Sequence, residues 1–179
     1  MTPACWEEWI KFFATKGYTA IAPGWPGIDD QTVEDVTAHP EALKGLSIHI
    51  VVDRYAKIIK AMPTPPIIMG HSFGGLLAQV LASRGYGCAV VGISPAQPSG
   101  VVALKLTTIK ESLSILGNPF TYNKAVPITE KEFHYAFGNH LDATASRVLW
   151  GKYSVPAAGR VLWQAALSLL GGLEEAMVL

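Results

Sequence analysis

A chain of 179 residues with 50% hydrophobic and 16% charged residues is long enough for one domain with a buried core and too apolar to be disordered. Its 14 basic residues balance 14 acidic ones, which gives no electrostatic case for nucleic acid or an anionic membrane as partner and favours a small, weakly charged substrate. Two cysteines, Cys5 and Cys88, stand far apart in segments read as buried helix and buried strand, so reduced thiols and a cytoplasmic setting are expected rather than a disulfide framework.

Taken from the start, Thr2 can cap a helix with Pro3 at its first position, and Trp6, Trp9, Ile10 and Phe13 then recur at helical spacing until Gly17 stops it. The charges Glu7, Glu8 and Lys11 within this stretch are unlike a signal peptide, and no apolar run reaches the ~18 residues of a membrane span. A strand is expected over residues 18–22. Residues 23–46 read as a loop-rich excursion in which Asp29, Asp30, Glu34 and Asp35 are solvated acids rather than a cation site, with one helical turn over 40–43. Ser47 can cap a helix through about residue 61, with Val51, Tyr55, Ile58, Ile59 and Met62 facing the core, and Pro63, Pro65 and Pro66 end it.

The most informative stretch follows. Residues 65–69 read as a buried strand and residues 73–84 as a helix with Leu76, Leu77, Val80 and Leu81 on one face. Between them lies Gly70-His71-Ser72-Phe73-Gly74, a G-x-S-x-G sequence. A strand that turns sharply into a helix on such a sequence exposes the serine hydroxyl in a strained conformation, which makes Ser72 the candidate nucleophile. A glycine-rich turn without chemistry is the alternative. A further strand is expected over residues 88–95, so that strands and helices alternate as βαβαβ with a parallel sheet and right-handed crossovers.

These residues resemble the α/β-hydrolase superfamily. Gly70 to Gly74 is similar to its nucleophile elbow, GYTAIAPGWPG over 17–27 to its fourth strand and following loop, and CAVVGISP over 88–95 to its sixth strand. The resemblance implies a three-layer αβα sandwich with a parallel sheet over residues 1–100, forming part of the hydrolase core, and a helical cap over 101–179. It also implies that Ser72 attacks a carbonyl carbon and that the Phe73 N–H is one oxyanion donor, with Gly70, His71 and Gly74 shaping the elbow. In the superfamily a second donor comes from a His-Gly loop before the first helix here, and the acid and histidine of the triad follow later strands. The chain is therefore expected to be a core-plus-lid fragment. With the third strand missing, either residues 19–22 pair directly with 67–69 or both strands keep open edges, and a tendency to self-associate follows.

The lid region reads as helix upon helix. Residues 106–116 are amphipathic, Thr129 and Glu132 form a capping box for a helix through Phe137, Asp142 can cap residues 143–153, and residues 159–170 supply another helix. Of its aromatics, Trp150, Trp163, Phe120, Phe133, Tyr135 and Phe137, a minority is expected to line a substrate pocket and the rest to pack between helices.

None of the five histidines completes a triad on this reading. His71 adjoins the serine and reads as a packing residue, His39 and His49 precede the elbow, and His134 and His140 lie in the lid in solvated or capping roles. No metal motif, P-loop or dinucleotide fingerprint is present, so no metal and no cofactor are expected. The leading expectation is hydrolysis of an ester or similar small apolar substrate. Alternatives are a non-catalytic binding or regulatory protein on the same fold and a cofactor-free haloperoxidase-like enzyme.

Overall fold

The structure, a computed structural model, describes residues 1–29, 31–99, 101 and 115–168. After a 3-10 turn at Pro3–Trp6, helix α1 spans Glu7–Thr15, α2 Val33–Ala38 and α3 Ile48–Lys60, with a second 3-10 turn at Pro40–Leu43 between the last two. Strand β1 (Ile67–His71), helix α4 (Phe73–Ser83) and strand β2 (Ala89–Ile93) follow. The second half of the chain contributes β3 (Ala125–Val126), α5 (Glu130–Ala136), α6 (Ala143–Tyr153), β4 (Ala157–Ala158) and α7 (Gly159–Ser168).

Strands β1 and β2 pair in parallel, Ile67 opposite Ala89 through His71 opposite Ile93, and α4 is the crossover between them. Because side chains alternate across a strand, Ile68, Gly70, Val90 and Gly92 share one face and Ile67, Met69, His71, Val91 and Ile93 the other. Helix α4 packs on the first face, and α3 packs on α4. That double contact explains why α4 is apolar nearly all round, with Leu76, Leu77, Ala78, Val80 and Leu81 all buried.

The strand expected over residues 18–22 does not form. That segment pairs with nothing in either sheet, Tyr18 and Ile21 are 59% and 58% exposed, and the parallel sheet has two strands among the described residues. Parallel sheets are ordinarily covered on both faces, yet Ile67 is 53% and Val91 39% exposed on the second face here. The open-edge alternative is thus the one observed. Helix α1 follows the same pattern: its aromatic stripe is only partly covered, no residue of it is buried, and Trp9 and Phe12 are 44% and 53% exposed. Thr2 begins the chain's first turn, but its hydroxyl makes no cap bond; its amide instead donates to Tyr153 O at 2.9 Å.

Local signals further on hold closely. Ser47 Oγ accepts from the Ile50 amide at the start of α3, Thr129 and Glu132 form the reciprocal capping box of α5, and Asp142 caps α6 through the Ala145 amide. Helix α2 lies inside the stretch read as loop, opened by an equivalent box between Thr32 and Asp35. The buried positions of α3 are Ile48, Val51, Val52 and Ala56, nearer its start than the expected stripe, with Tyr55, Ile58, Ile59 and Met62 half-buried. The reason is α7: Gln164 Oε1 accepts from the Ile48 amide at 2.9 Å, so α7 covers the start of α3. One apolar cluster accordingly runs from Leu76 and Val80 through Val51 and Val52 to Val155, Ala158 and Val161. The helix expected over 106–116 lies outside the described residues except Ile115 and Leu116, which are helical, as do residues 169 and 170 of the last helix.

Glu7 ties α1 to α6. Its carboxylate pairs with Lys152 and accepts from Tyr153 Oη at 2.9 Å, and these bonds, that from Lys152 first, hold its pKa below the usual glutamate value. A lowered folded-state pKa stabilises above the unfolded value and loses that contribution as pH falls through the folded one. Glu7→Gln is therefore expected to be less stable than wild type at neutral pH and to match it in strong acid, as urea titrations across that range would read. Equal stability at every pH would show that the link contributes nothing.

Candidate active site

Ser72 sits on the single residue between the end of β1 and the start of α4, at φ 52° and ψ −119°. A side chain seldom adopts positive φ, and such a residue is held only where its surroundings over-determine it. Three bonds do so on its carbonyl, which accepts from the Gly75 and Ala96 amides at 2.9 Å each and from Leu76 at 3.3 Å, while its own amide donates to Ile93 O at 3.0 Å. The residue is exposed, and its side chain makes no cap bond to the helix it precedes. The amide of Phe73 lies at the first position of α4, where an N–H has no carbonyl one turn back within the helix to bond.

Steric constraint comes from two glycines. A Cβ on Gly70 would lie 2.1 Å from Gly74 O, and one on Gly75 would lie 2.6 Å from Pro95 Cβ. A Cβ on Gly74 would meet open space. Of the elbow glycines, Gly70 has no room for a side chain, Gly74 is sterically free, and Gly75 with Pro95 forms a contact outside the G-x-S-x-G pattern. The doublet Gly74-Gly75 is its only local sign, because Pro95 is brought there by β2. Ser94, before that proline, also has positive φ, at 41°.

The loop after residue 22 is braced against the elbow. Trp25 meets the Phe73 ring edge-on at 6.0 Å between centroids. Asp29 accepts from the Gly24 amide at 3.0 Å and pairs with Arg54, whose Nε donates to Gly24 O at 3.1 Å. Tyr55 Oη donates to Pro23 O, and burial pushes its pKa up to about 12, so it stays a donor through the neutral range. Two acids of this loop are thus employed locally, Asp29 as brace and Asp35 as cap, and Asp30 lies outside the described residues.

His71 is exposed rather than packed, and the other histidines stay apart from the serine in their bonding. His39 ends α2, His49 Nε2 contacts Asp53 Oδ2 at 3.0 Å, His140 is exposed, and His134 Nδ1 is buried without a partner among the described residues. No histidine or carboxylate of the described residues hydrogen-bonds Ser72. Cys5 is half-buried, and Cys88 is exposed instead of buried because it precedes the uncovered strand β2.

Two clefts flank the N-terminal turn. One of about 360 Å³ is lined by residues including Thr2, Asp29, Glu34 and Lys152, and one of about 170 Å³ by Met1, Cys5, Trp6, Trp9, His71 and Ile93. No lid aromatic among the described residues is in either wall. Trp150 and Trp163 donate their indole N–H to Ile128 O and Thr121 Oγ1, Phe133 is buried against Phe137, and Phe120 is 79% exposed.

Comparison with known proteins agrees with this geometry. The profile of the Alpha/beta hydrolase family matches residues 1–175. No curated protein matches the chain. Among solved structures, a variant of tomato Methylketone Synthase I complexed with beta-ketoheptanoate superposes with a TM-score of 0.60 at 15% identity, covering 94% of this chain and 68% of that one. The pyrethroid hydrolase PytH gives 0.49 at 15% identity over 77% of this chain and 57% of its own. A pyrethroid hydrolase from Sphingobium faniae JZ-2 gives 0.47 at 16% identity over 72% and 49%. The present chain therefore spans about two thirds of the first and roughly half of the others. With a strained serine between a parallel strand and its crossover helix, and a family match over nearly its whole length, the chain belongs to the alpha/beta hydrolase family.

Proposed function

We propose that the chain carries the nucleophile of a serine hydrolase acting on an ester or similar small, apolar substrate. Ser72 Oγ attacks the carbonyl carbon, and the Phe73 N–H donates to the oxyanion. Collapse of the tetrahedral intermediate breaks the ester C–O bond and releases the alcohol, which takes up the proton from Ser72, and water then hydrolyses the acyl-enzyme to the free acid and the serine hydroxyl. The hydroxyl proton must pass to a base, which the described residues do not bring into hydrogen-bonding contact with Ser72. What supports the reading is the backbone of Ser72, held at φ 52° in a residue that is itself exposed. A residue without a task gains nothing from a strain of roughly 1 to 3 kcal/mol.

The test is labelling with a fluorophosphonate. Modification of the wild-type chain that disappears in Ser72→Ala is the expected result. An unlabelled wild-type chain would favour a non-catalytic binding protein on the same fold. Ser72→Gly adds a second measurement, because glycine accepts positive φ without strain. It is expected to lose labelling and to gain about 1 kcal/mol in a denaturant titration. A glycine variant less stable than wild type would remove the strain argument.

A further inference from the structure

Ser72 has both its amide and its carbonyl tied to one short segment. The amide donates to Ile93 O at 3.0 Å, and the carbonyl accepts from the Ala96 amide at 2.9 Å. The φ and ψ of a residue set how its N–H and C=O are oriented to each other, so two bonds to a single segment constrain both angles at once. The first helical bonds, from Gly75 and Leu76, hold only the carbonyl. Between Ile93 and Ala96 the chain turns at Ser94, at φ 41°; Ser94 and Ser72 are the two residues other than glycine with positive φ among the described residues.

Pro95 makes that turn more demanding. A proline ring drives the residue before it towards negative φ and extended backbone, so Ser94 departs from its own preference and from the one Pro95 imposes. Two glycines seat the proline: a Cβ on Gly75 would lie 2.6 Å from Pro95 Cβ, and one on Gly92 would lie 3.2 Å from Pro95 Cγ. Pro95 is thereby folded back between its own strand and the first turn of α4. From α4, Gln79 Nε2 donates to Gly75 O at 3.2 Å and, more weakly, to Ala96 O at 3.5 Å. Ser94 is itself exposed, so no demand of the apolar core accounts for its strain. We infer that Ser94 is a positioning residue for Ser72: its turn closes residues 93–96 into a strap that holds the backbone of the nucleophile at φ 52°. The inference deepens the proposed hydrolysis and rests on Ser72 being its nucleophile. The role belongs to the φ of Ser94 and not to its hydroxyl.

The experiment compares Ser94→Val, a β-branched residue for which positive φ is a genuine outlier, with Ser94→Gly, which accepts it. Two properties are read in the whole chain: the kinact and KI of fluorophosphonate labelling, and hydrogen exchange of the Ala96 amide by NMR. In Ser94→Val that amide is expected to exchange at least about tenfold faster, as the strap opens locally. Its kinact is expected to fall about tenfold or more at a KI unchanged within about twofold, a split that simple loss of folded protein would not produce. Ser94→Gly is expected to restore both to within about threefold of wild type. Gln79→Leu removes a donor to the strap without touching Ser94 and serves if Ser94→Val does not fold; it is expected to move exchange and kinact in the same directions, and no change in either overturns the inference. Unchanged Ala96 exchange in Ser94→Val, or faster exchange with kinact unaltered, overturns the strap while leaving the nucleophile in place. Loss of labelling in Ser94→Gly with Ala96 still protected overturns it as well, since the hydroxyl would then carry the role. A wild-type chain that takes no label overturns the nucleophile, and with it the positioning role, whatever Ala96 exchange shows.

Discussion

Gly70→Ala is expected to destabilise the protein by ~3 kcal/mol or more and to abolish fluorophosphonate labelling with it. The added methyl would sit 2.1 Å from Gly74 O, and both partners in that clash are backbone. A side chain can rotate away, but here either β1 or the first turn of α4 has to move. Movement of either would break the bonds that the Ser72 carbonyl accepts from Gly75 and Leu76. Gly74→Ala is the matched control, since its Cβ meets open space and alanine is the better helix former; its stability is expected to equal wild type or exceed it by up to ~1 kcal/mol. Urea denaturation of the two variants decides the matter. If Gly70→Ala were as stable as Gly74→Ala, the close approach of strand and helix would not be what holds the elbow.

Leu76→Ala is expected to cost about 2 to 5 kcal/mol, because Leu76 is fully buried within the apolar cluster. Helix α4 touches β1, β2 and α3, so a cavity there loosens the sheet and the helix layer together. Val148→Ala on α6 is the comparison: Val148 is 62% exposed, and its loss should stay within about 0.5 kcal/mol. With marginal stability typical of a domain this size, the first change alone can unfold a large fraction of the molecules. A thermal or denaturant midpoint for Leu76→Ala indistinguishable from Val148→Ala would mean that α4 is not the centre of the core.

Features written within a few residues are legible in the amino-acid order alone. Ser47, Asp142 and the Thr129–Glu132 pair each bond to an amide three residues away, so identity and spacing suffice. The Thr32–Asp35 box before α2 has the same form, but it is masked in the sequence by its likeness to a run of solvated acids. The elbow belongs to this group as well, since the strand, turn and helix are contiguous and Ser72 lies at their junction.

What depends on distant segments is not legible in this way. Residues 18–22 have the composition of a strand, but a strand exists only if a partner lies alongside, and among the described residues none does. The aromatic spacing of α1 correctly marks a helix, yet how much of Trp9 and Phe12 is covered depends on what packs there. Gly74 and Gly75 look equivalent in sequence; Pro95, about twenty residues on, makes only the second indispensable. By itself, then, the sequence determined the caps of α3, α5 and α6, the strand-turn-helix of the elbow and the family, because those rest on near-neighbour geometry. Only tertiary structure decided which strands pair, which glycine is crowded and which aromatics form the cleft, because those rest on long-range contacts that no local pattern encodes.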